Sequence, residues 1–186
     1  MDNYKDKKDR EEKEGKEEKD GPYEAQLKII PEHIIYYKDY FAPNLSEFLN
    51  ISREDNFFQD LSDRVLAENP EIGLTEPDYN VLMYLDGEFR DKEIHYRFCD
   101  AVTEYGKNNE EYQFAKVDAF TALAVPHKGS YEKLGEAHAY AKLWMAKNGY
   151  EQVGFPRDSA IDGCWNKDST EDYLTEVQIP VKKKGR

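Results

Sequence analysis

The sequence predicts an α+β fold in which antiparallel strands and two main helices form two similar halves around a central cleft. Three observations support this prediction. Short segments with strand-like alternation occur along most of the chain, and each half contains one amphipathic helical region. The order of elements in the first half, β-β-α-β-β, also recurs in the second half.

The first half begins with two strand-like runs that Pro31 separates, and a helical pattern follows them. The pattern leaves open whether this region is one helix or two. It ends at Asn69, because a residue that precedes a proline disfavours the helical conformation. The predicted elements are strands at 25–30 and 33–41, a helical region at 44–67, and strands at 79–87 and 93–102.

The second half contains the clearest helical pattern, for which Ser130 is a suitable N-cap and Gly149 a natural residue just after the end. His138 lies on its apolar stripe and is interpreted as a core or boundary residue. The predicted elements are strands at 112–119 and 120–129, a helix at 130–150, and strands at 158–163 and 173–181.

The two halves also match in detail. Segments 77–87 and 156–163 both begin with Pro, end with Asp-Gly, and lie between the helix and the last strand of their half. Lys28 and Lys116, 88 residues apart, open strands that we expect to be equivalent. The sequence therefore predicts an internal duplication about a pseudo-twofold axis.

Charge is unevenly distributed along the 186-residue chain, which holds 39 acidic and 26 basic residues. Residues 1–20 contain nine acids, seven bases and no aliphatic residue, and are expected to form a disordered tail or the remnant of a linker helix. Residues 21–186 are expected to form one domain, and they carry a net charge of −11. This charge disfavours nucleic acid and anionic membranes and favours neutral or cationic ligands.

The cysteines and histidines indicate neither a disulfide framework nor a metal site. Cys99 and Cys164 lack metal-ligand spacing, and the four histidines are isolated in sequence, so we predict no metal and no cofactor. The chain shows no apolar signal region and no apolar run of membrane-spanning length. We therefore expect a cytoplasmic protein.

The final predicted strand contains an acid among apolar residues. Alternation places Tyr173, Thr175 and Val177 on one face and Glu176 on the other. Two roles stay open for Glu176: it fits the wet outer face of an antiparallel sheet, and it fits a cavity that requires negative charge.

Two long segments of the second half resemble the GyrI-like small-molecule-binding superfamily. They read HKGSYEKLGEAHAYAKLWMAKNGYE and FPRDSAIDGCWNKDSTEDYLTEVQIPV, and the resemblance extends over residues 23–182. This superfamily includes the effector-binding domains of many MerR-type and AraC-type transcription regulators, among them multidrug sensors. The resemblance implies duplicated β-α-β-β units that form a barrel-like antiparallel sheet. Ser130 replaces the usual Pro of the family, and Asp158 replaces a frequent Glu.

The resemblance also implies a ligand cavity between the halves, lined by aromatic rings and buried acids. The residues that match its ligand-binding positions are Glu176, Asp158, Tyr173, Trp165 and Tyr84. An unpaired carboxylate is costly in an apolar cleft, so an incoming cation is favoured, and ring faces add cation–π attraction. We therefore predict that the domain binds small, hydrophobic, cationic molecules.

Other interpretations remain open from the sequence. Asp158 also fits a pair with Arg157 or a loop cap, and Trp165 also fits a core position. An alternative is a stand-alone hydrolase of strained electrophilic toxins, with Glu176, a tyrosine hydroxyl and Trp165 positioning a water, although no hydrolase motif is found. A gyrase-inhibitor-like module that binds a protein partner, a homodimer and a purely structural protein are further alternatives. No helix-turn-helix precedes residue 21, so we expect no direct binding of DNA by this chain.

Overall fold

The computed structural model describes residues 22–53, 57–76 and 80–185, without the side chains of residues 52 and 53. The predicted tail at 1–20 and Gly21 lie outside the described residues. Segment 54–56 within the predicted helical region and segment 77–79, which includes the Pro at the start of the first Pro…Asp-Gly segment, also lie outside them.

Nine strands are found among the described residues, and eight of them follow one another in a curled antiparallel sheet, while β7 pairs with the end of β9. The predicted α+β class and barrel-like sheet are confirmed. The strands are β1 (Gln26–Ile30), β2 (His33–Asn44), β3 (Val81–Tyr84), β4 (Lys92–Val102), β5 (Gln113–Val117), β6 (Phe120–Lys128), β7 (Tyr150–Gln152), β8 (Arg157–Asp162) and β9 (Leu174–Lys183).

Three α-helices accompany the sheet in the described part of the chain: α1 (Leu45–Arg53), α2 (Phe57–Glu68) and α3 (Leu134–Asn148). The helical region of the first half is therefore divided into two helices. Single 3₁₀ turns occur at Tyr131–Lys133 and Thr170–Asp172. None of the described helices is both long and apolar enough to cross a membrane.

The end of α3 matches its prediction, and its start matches in part. Gly149 follows the helix with φ 72°, the left-handed conformation that favours glycine, and its amide donates to the Met145 carbonyl. Ser130 is the N-cap of the 3₁₀ turn Tyr131–Lys133, which leads into α3, but its side chain makes no capping bond. Lys133 occupies the N-cap position of α3 itself.

The strand order shows the predicted duplication directly. It runs β1-β6-β9-β8-β3-β4-β2-β5, and exchanging β1 with β5, β2 with β6, β3 with β8 and β4 with β9 gives the same order in reverse. The pseudo-twofold axis therefore passes through the central β3–β8 ladder, where the two halves meet.

The strands that contain Lys28 and Lys116, β1 and β5, are equivalent as predicted, but the two lysine side chains point to opposite faces of the sheet. Lys28 lies across from Ala122 and shares a sheet face with Glu176, with which it forms an ion pair. Lys116 of β5 lies across from Ile34 of β2. Both side chains point to the face opposite to that of Glu176. Two residues that point to opposite faces cannot be related by an axis perpendicular to the sheet.

The two faces of the sheet have different roles. On the face covered by the three helices, called the helix face below, Tyr84, Phe98 and Val177 are buried in the main core. On the opposite face, Val81 and Cys99 belong to a smaller apolar cluster. Because neighbouring residues of a strand alternate between the faces, each strand contributes to both.

Candidate functional site

A cavity of about 720 Å³ lies on the helix face. Its walls come from α1 and α2 in the first half and from the segments around α3 and β8 in the second half. A volume of this size is typical of small-molecule sites. The predicted central cleft between the halves therefore corresponds to a real cavity.

The walls of the cavity are rich in aromatic rings, and none of its lining residues among the described residues is Lys or Arg. Two acids, Asp100 and Asp158, contribute to the lining. The aromatic lining residues are Phe48, Phe57, Phe58, Phe98, Tyr131 and Trp165. This combination offers ring faces and carboxylate oxygens to a ligand.

The floor of the cavity is built where the pseudo-twofold axis crosses the sheet. Leu82 of β3 lies directly across from Asp158 of β8 on one side and from Phe98 of β4 on the other. Residues that pair directly across antiparallel strands point to the same face, so all three side chains face the helices. The symmetric ladder thus brings an acid of one half beside apolar residues of the other.

Asp158 is held by two side chains from different elements. One carboxylate oxygen accepts a hydrogen bond from the Tyr84 hydroxyl, and the other lies 2.8 Å from Nε2 of His138 in α3. The acid is only 5% exposed. Burial, followed by the charge of Asp158, raises the pKa of Tyr84 well above its ordinary value, so this tyrosine is a neutral donor.

The imidazole of His138 is fixed by rings on two sides. Phe89 stacks on it with the ring centres 4.9 Å apart, and Tyr84 meets it edge-on at 5.3 Å. The prediction of a core position for His138 is correct, since the residue is buried. In addition, it orients the acid of the cavity floor.

The second acid, Asp100, accepts a hydrogen bond of 2.5 Å from the Tyr36 hydroxyl. Both residues are buried and lie directly across from each other in β4 and β2. Burial, then the nearby carboxylate, raises the pKa of Tyr36 well above its ordinary value. Both acids of the cavity are therefore stabilised by a neutral phenol.

Glu176 does not line the cavity, in which the resemblance placed it. Its neighbour Thr175 lines the cavity, whereas Glu176 points to the opposite face, where it pairs with Lys28 of β1 and accepts a 2.8 Å hydrogen bond from Gln178. The acid is 7% exposed, so it does not lie on a wet surface either. A buried carboxylate requires such partners, and Lys28 supplies the opposite charge.

The other predicted site residues are divided between cavity and core. Trp165 lines the cavity and is 59% exposed, so it stands at the mouth rather than in the core. Tyr84 reaches the site through its bond to Asp158. Tyr173 is buried behind the wall, against Tyr131 at 5.1 Å between ring centres.

The predicted alternative of an Asp158–Arg157 pair is not found. Arg157 alternates with Asp158 along β8 and therefore points to the opposite face, where its guanidinium lies 4.5 Å from the centre of the Phe120 ring. Asp158 is instead paired across the helix face with His138.

The sequence contained signals for two residues that were not predicted as part of the site. His138 is a polar residue on an apolar helix stripe, and Asp100 is the charged residue within the otherwise apolar run 98–102 of β4. A polar group in such a position needs a partner, which makes it a candidate for a buried network. Across the described ranges, no group of three His, Cys, Asp or Glu side chains is arranged to hold a metal ion.

A duplicated, curled sheet with an aromatic cavity between its halves defines a class of small-molecule-binding domain. The model of the family described as GyrI-like small molecule binding domain matches residues 31–182. The chain therefore belongs to the GyrI-like family, as the resemblance of the second half indicated.

Two solved structures of EcmrR are similar to this chain. The crystal structure of the EcmrR C-terminal domain shares 37% identity over 88% of this chain and 99% of that chain, with a TM-score of 0.79. The cryo-EM structure of an EcmrR–DNA complex shares 36% identity over 95% of this chain, with a TM-score of 0.78. The match spans 64% of the EcmrR chain in that complex.

More distant structures share the fold alone. SAV2435 bound to tetraphenylphosphonium is 16% identical over 86% of this chain and 94% of that chain, with a TM-score of 0.52. A hydrolase from Listeria innocua is 9% identical over 94% of this chain and 98% of that chain, with a TM-score of 0.57. No curated protein sequence matches this chain significantly.

Proposed function

We propose that this domain binds small hydrophobic cations in the cavity between its halves, and acts as an effector-binding domain in transcription regulation or as a binder that sequesters such compounds. The single observation that carries the proposal is the position of Asp158 and the nature of its partners. Asp158 is a buried acid in the floor of an aromatic cavity, and among the described residues no Lys or Arg pairs with it.

The partners of Asp158 make its charge available to a ligand. Tyr84 stabilises the carboxylate by a hydrogen bond but adds no positive charge, and His138 is charged only when protonated. A carboxylate without a permanent positive partner therefore attracts a cation. At about 5 Å and an effective dielectric constant near 20, this attraction is roughly 3 kcal/mol before desolvation costs.

The aromatic walls add a second contribution that suits flat or bulky organic cations. Phe98 in the floor and Trp165 at the mouth both line the cavity that contains Asp158. A cation over an aromatic face gains about 0.5–2 kcal/mol, and apolar burial is only weakly directional. The cavity therefore suits a range of shapes that share lipophilic surface and positive charge.

The comparisons support this proposal at two levels. SAV2435, which shares the fold, is bound to tetraphenylphosphonium in its structure, and this ion is a lipophilic cation. EcmrR, which is much more similar, is seen in a complex with DNA. We propose that ligand capture by this domain is passed to a DNA-binding partner or to a DNA-binding part of the same protein by a shift in a conformational equilibrium.

The proposed division of the chain follows from this function. Residues 21–186 form the ligand-binding domain, and residues 1–20 are a charged tail or the remnant of a linker. The hydrolase alternative is not proposed, because it relied on Glu176, which lies outside the cavity and is paired with Lys28.

The proposal is tested with two ions of nearly equal shape and opposite charge, tetraphenylphosphonium and tetraphenylborate. Isothermal titration calorimetry is performed at pH 8 in 0.3 M NaCl, where attraction by the acidic surface is largely screened. We expect saturable binding of one tetraphenylphosphonium per chain, at least about 100-fold tighter than that of tetraphenylborate. Equal or tighter binding of tetraphenylborate, or no binding of tetraphenylphosphonium, contradicts the proposal.

A further inference from the structure

We propose that His138 determines the charge that the cavity floor presents, so that binding of a cation beside Asp158 expels a proton from the imidazole. This inference rests on the proposed function and adds a specificity-determining, positioning residue to it. His138 acts through Asp158 and is not among the residues that line the cavity.

The geometry makes the two groups a single electrostatic unit. Nε2 of His138 lies 2.8 Å from one oxygen of Asp158, and the Tyr84 hydroxyl occupies the other oxygen. The carboxylate acceptor selects the neutral tautomer with its hydrogen on Nε2, so both oxygens are satisfied whether His138 is neutral or protonated. Protonation at the second ring nitrogen therefore changes the charge of the unit without breaking its hydrogen bonds.

The surroundings of the ring leave few other groups to control this charge. Phe89 stacks on one face of the imidazole, Tyr84 of β3 meets it edge-on, and Asp158 of β8 accepts a hydrogen bond from it. Of these contacts from the packed elements, only Asp158 and Tyr84 are titratable. Burial raises the pKa of Tyr84, so the phenol stays neutral across the physiological range.

The charge of the floor then follows the protonation of His138. With a protonated imidazole, the His138–Asp158 pair is neutral and a cation gains little from it. With a neutral imidazole, the pair carries one negative charge in a cavity without lining Lys or Arg among the described residues. A bound cation and an imidazolium a few ångströms apart repel each other, so each disfavours the other.

This repulsion fixes the sign of the pH dependence. Where His138 is protonated in the ligand-free protein, binding must release a proton, so the affinity for a cation rises by up to tenfold for each pH unit. Where His138 is already neutral in the ligand-free protein, no proton is released and the affinity is constant. By the same linkage, a bound cation disfavours protonation of His138.

The experiment measures protons and affinity together. Tetraphenylphosphonium is titrated into the protein by calorimetry between pH 6 and pH 8.5, in pairs of buffers with different ionisation enthalpies, which gives the number of protons released. For wild type we expect a proton release that is larger at the acidic end than at the alkaline end, and an affinity that rises with pH. For His138→Gln, whose amide can still donate to Asp158, we expect no release and an affinity independent of pH.

The matched control is His127→Gln. His127 is also buried, but it bonds to Tyr23 and to the Ser130 carbonyl and does not contact Asp158. This variant should keep the pH profile of wild type. If the loss of pH dependence in His138→Gln came only from removing a buried histidine, His127→Gln would lose it as well. A profile in His138→Gln that equals that of wild type overturns the inference.

A direct measurement on wild type covers the case in which His138→Gln fails to fold. NMR of the His138 ring should show that, at the same pH, the imidazole is less protonated with saturating tetraphenylphosphonium than without it. An unchanged degree of protonation with the ion bound overturns the inference and leaves the proposed function standing. Absence of tetraphenylphosphonium binding at every pH overturns both.

Discussion

Asp158 and Glu176 are buried to almost the same extent on neighbouring strands, yet they face opposite sides of the sheet and have different partners. Asp158 is held by Tyr84 and His138 on the helix face, beside the cavity. Glu176 is held by Lys28 and Gln178 on the opposite face. The comparison shows that two equally buried acids can have partners of different charge. We propose that the charge of these partners decides whether negative charge remains for a ligand.

The largest effect should come from removing the cation beside Glu176. In Lys28→Met the carboxylate stays in place without its opposite charge, and we expect a loss of about 1–3 kcal/mol in the free energy of unfolding. This range lies between the losses expected for breaking a surface ion pair and for breaking a buried one, because Lys28 is partly exposed. Urea denaturation measures the change.

The control is the double variant Lys28→Met with Glu176→Gln, which removes both charges. We expect it to recover most of the lost stability, because no uncompensated carboxylate remains. The affinity for tetraphenylphosphonium should stay close to that of wild type in both variants. A double variant as unstable as Lys28→Met would show that the pair is not what stabilises Glu176.

A smaller effect should come from the aromatic rim on the side of Asp158. Trp165→Leu removes one ring at the mouth of the cavity, and we expect a two- to fivefold loss in affinity for tetraphenylphosphonium, corresponding to about 0.5–1 kcal/mol. Since Trp165 is more than half exposed, the free energy of unfolding should change by less than about 0.5 kcal/mol.

Tryptophan fluorescence checks this prediction, and Trp144→Phe is its control. Trp144 lies in α3 against Tyr150, with 5.5 Å between the ring centres, and does not line the cavity. Ligand-induced quenching should persist in Trp144→Phe and be absent in Trp165→Leu. Quenching that disappears only in Trp144→Phe would place the ligand elsewhere.

Much of the fold could be predicted from local pattern. Alternation identified eight of the nine described strands but not the three-residue β7, and Gly149 marked the end of α3, because period and cap chemistry are properties of short segments. The repeated order of elements predicted the duplication that the strand order shows. The strands of Lys28 and Lys116 were matched correctly, but two lysines carry no information about which face each side chain occupies, and theirs differ.

The candidate site was less predictable, for a physical reason. Alternation correctly separated Glu176 from Thr175, but a period of two cannot tell which face the helices cover. That choice depends on long-range contacts, such as the pairing of Lys28 in β1 with Glu176 in β9. The link between Asp158 and His138 likewise depends on how α3 is placed over β8.

The central claim is that Asp158, and not Glu176, gives the cavity its preference for cations. The most direct measurement is the ratio of the dissociation constants of tetraphenylborate and tetraphenylphosphonium, determined by calorimetry at pH 8 and 0.3 M NaCl for wild type, Asp158→Asn and Glu176→Gln. We expect Asp158→Asn to lower this ratio by at least about tenfold, or about 1.4 kcal/mol, and Glu176→Gln to leave it within about twofold. A ratio that is unchanged in Asp158→Asn and lower in Glu176→Gln would contradict the account.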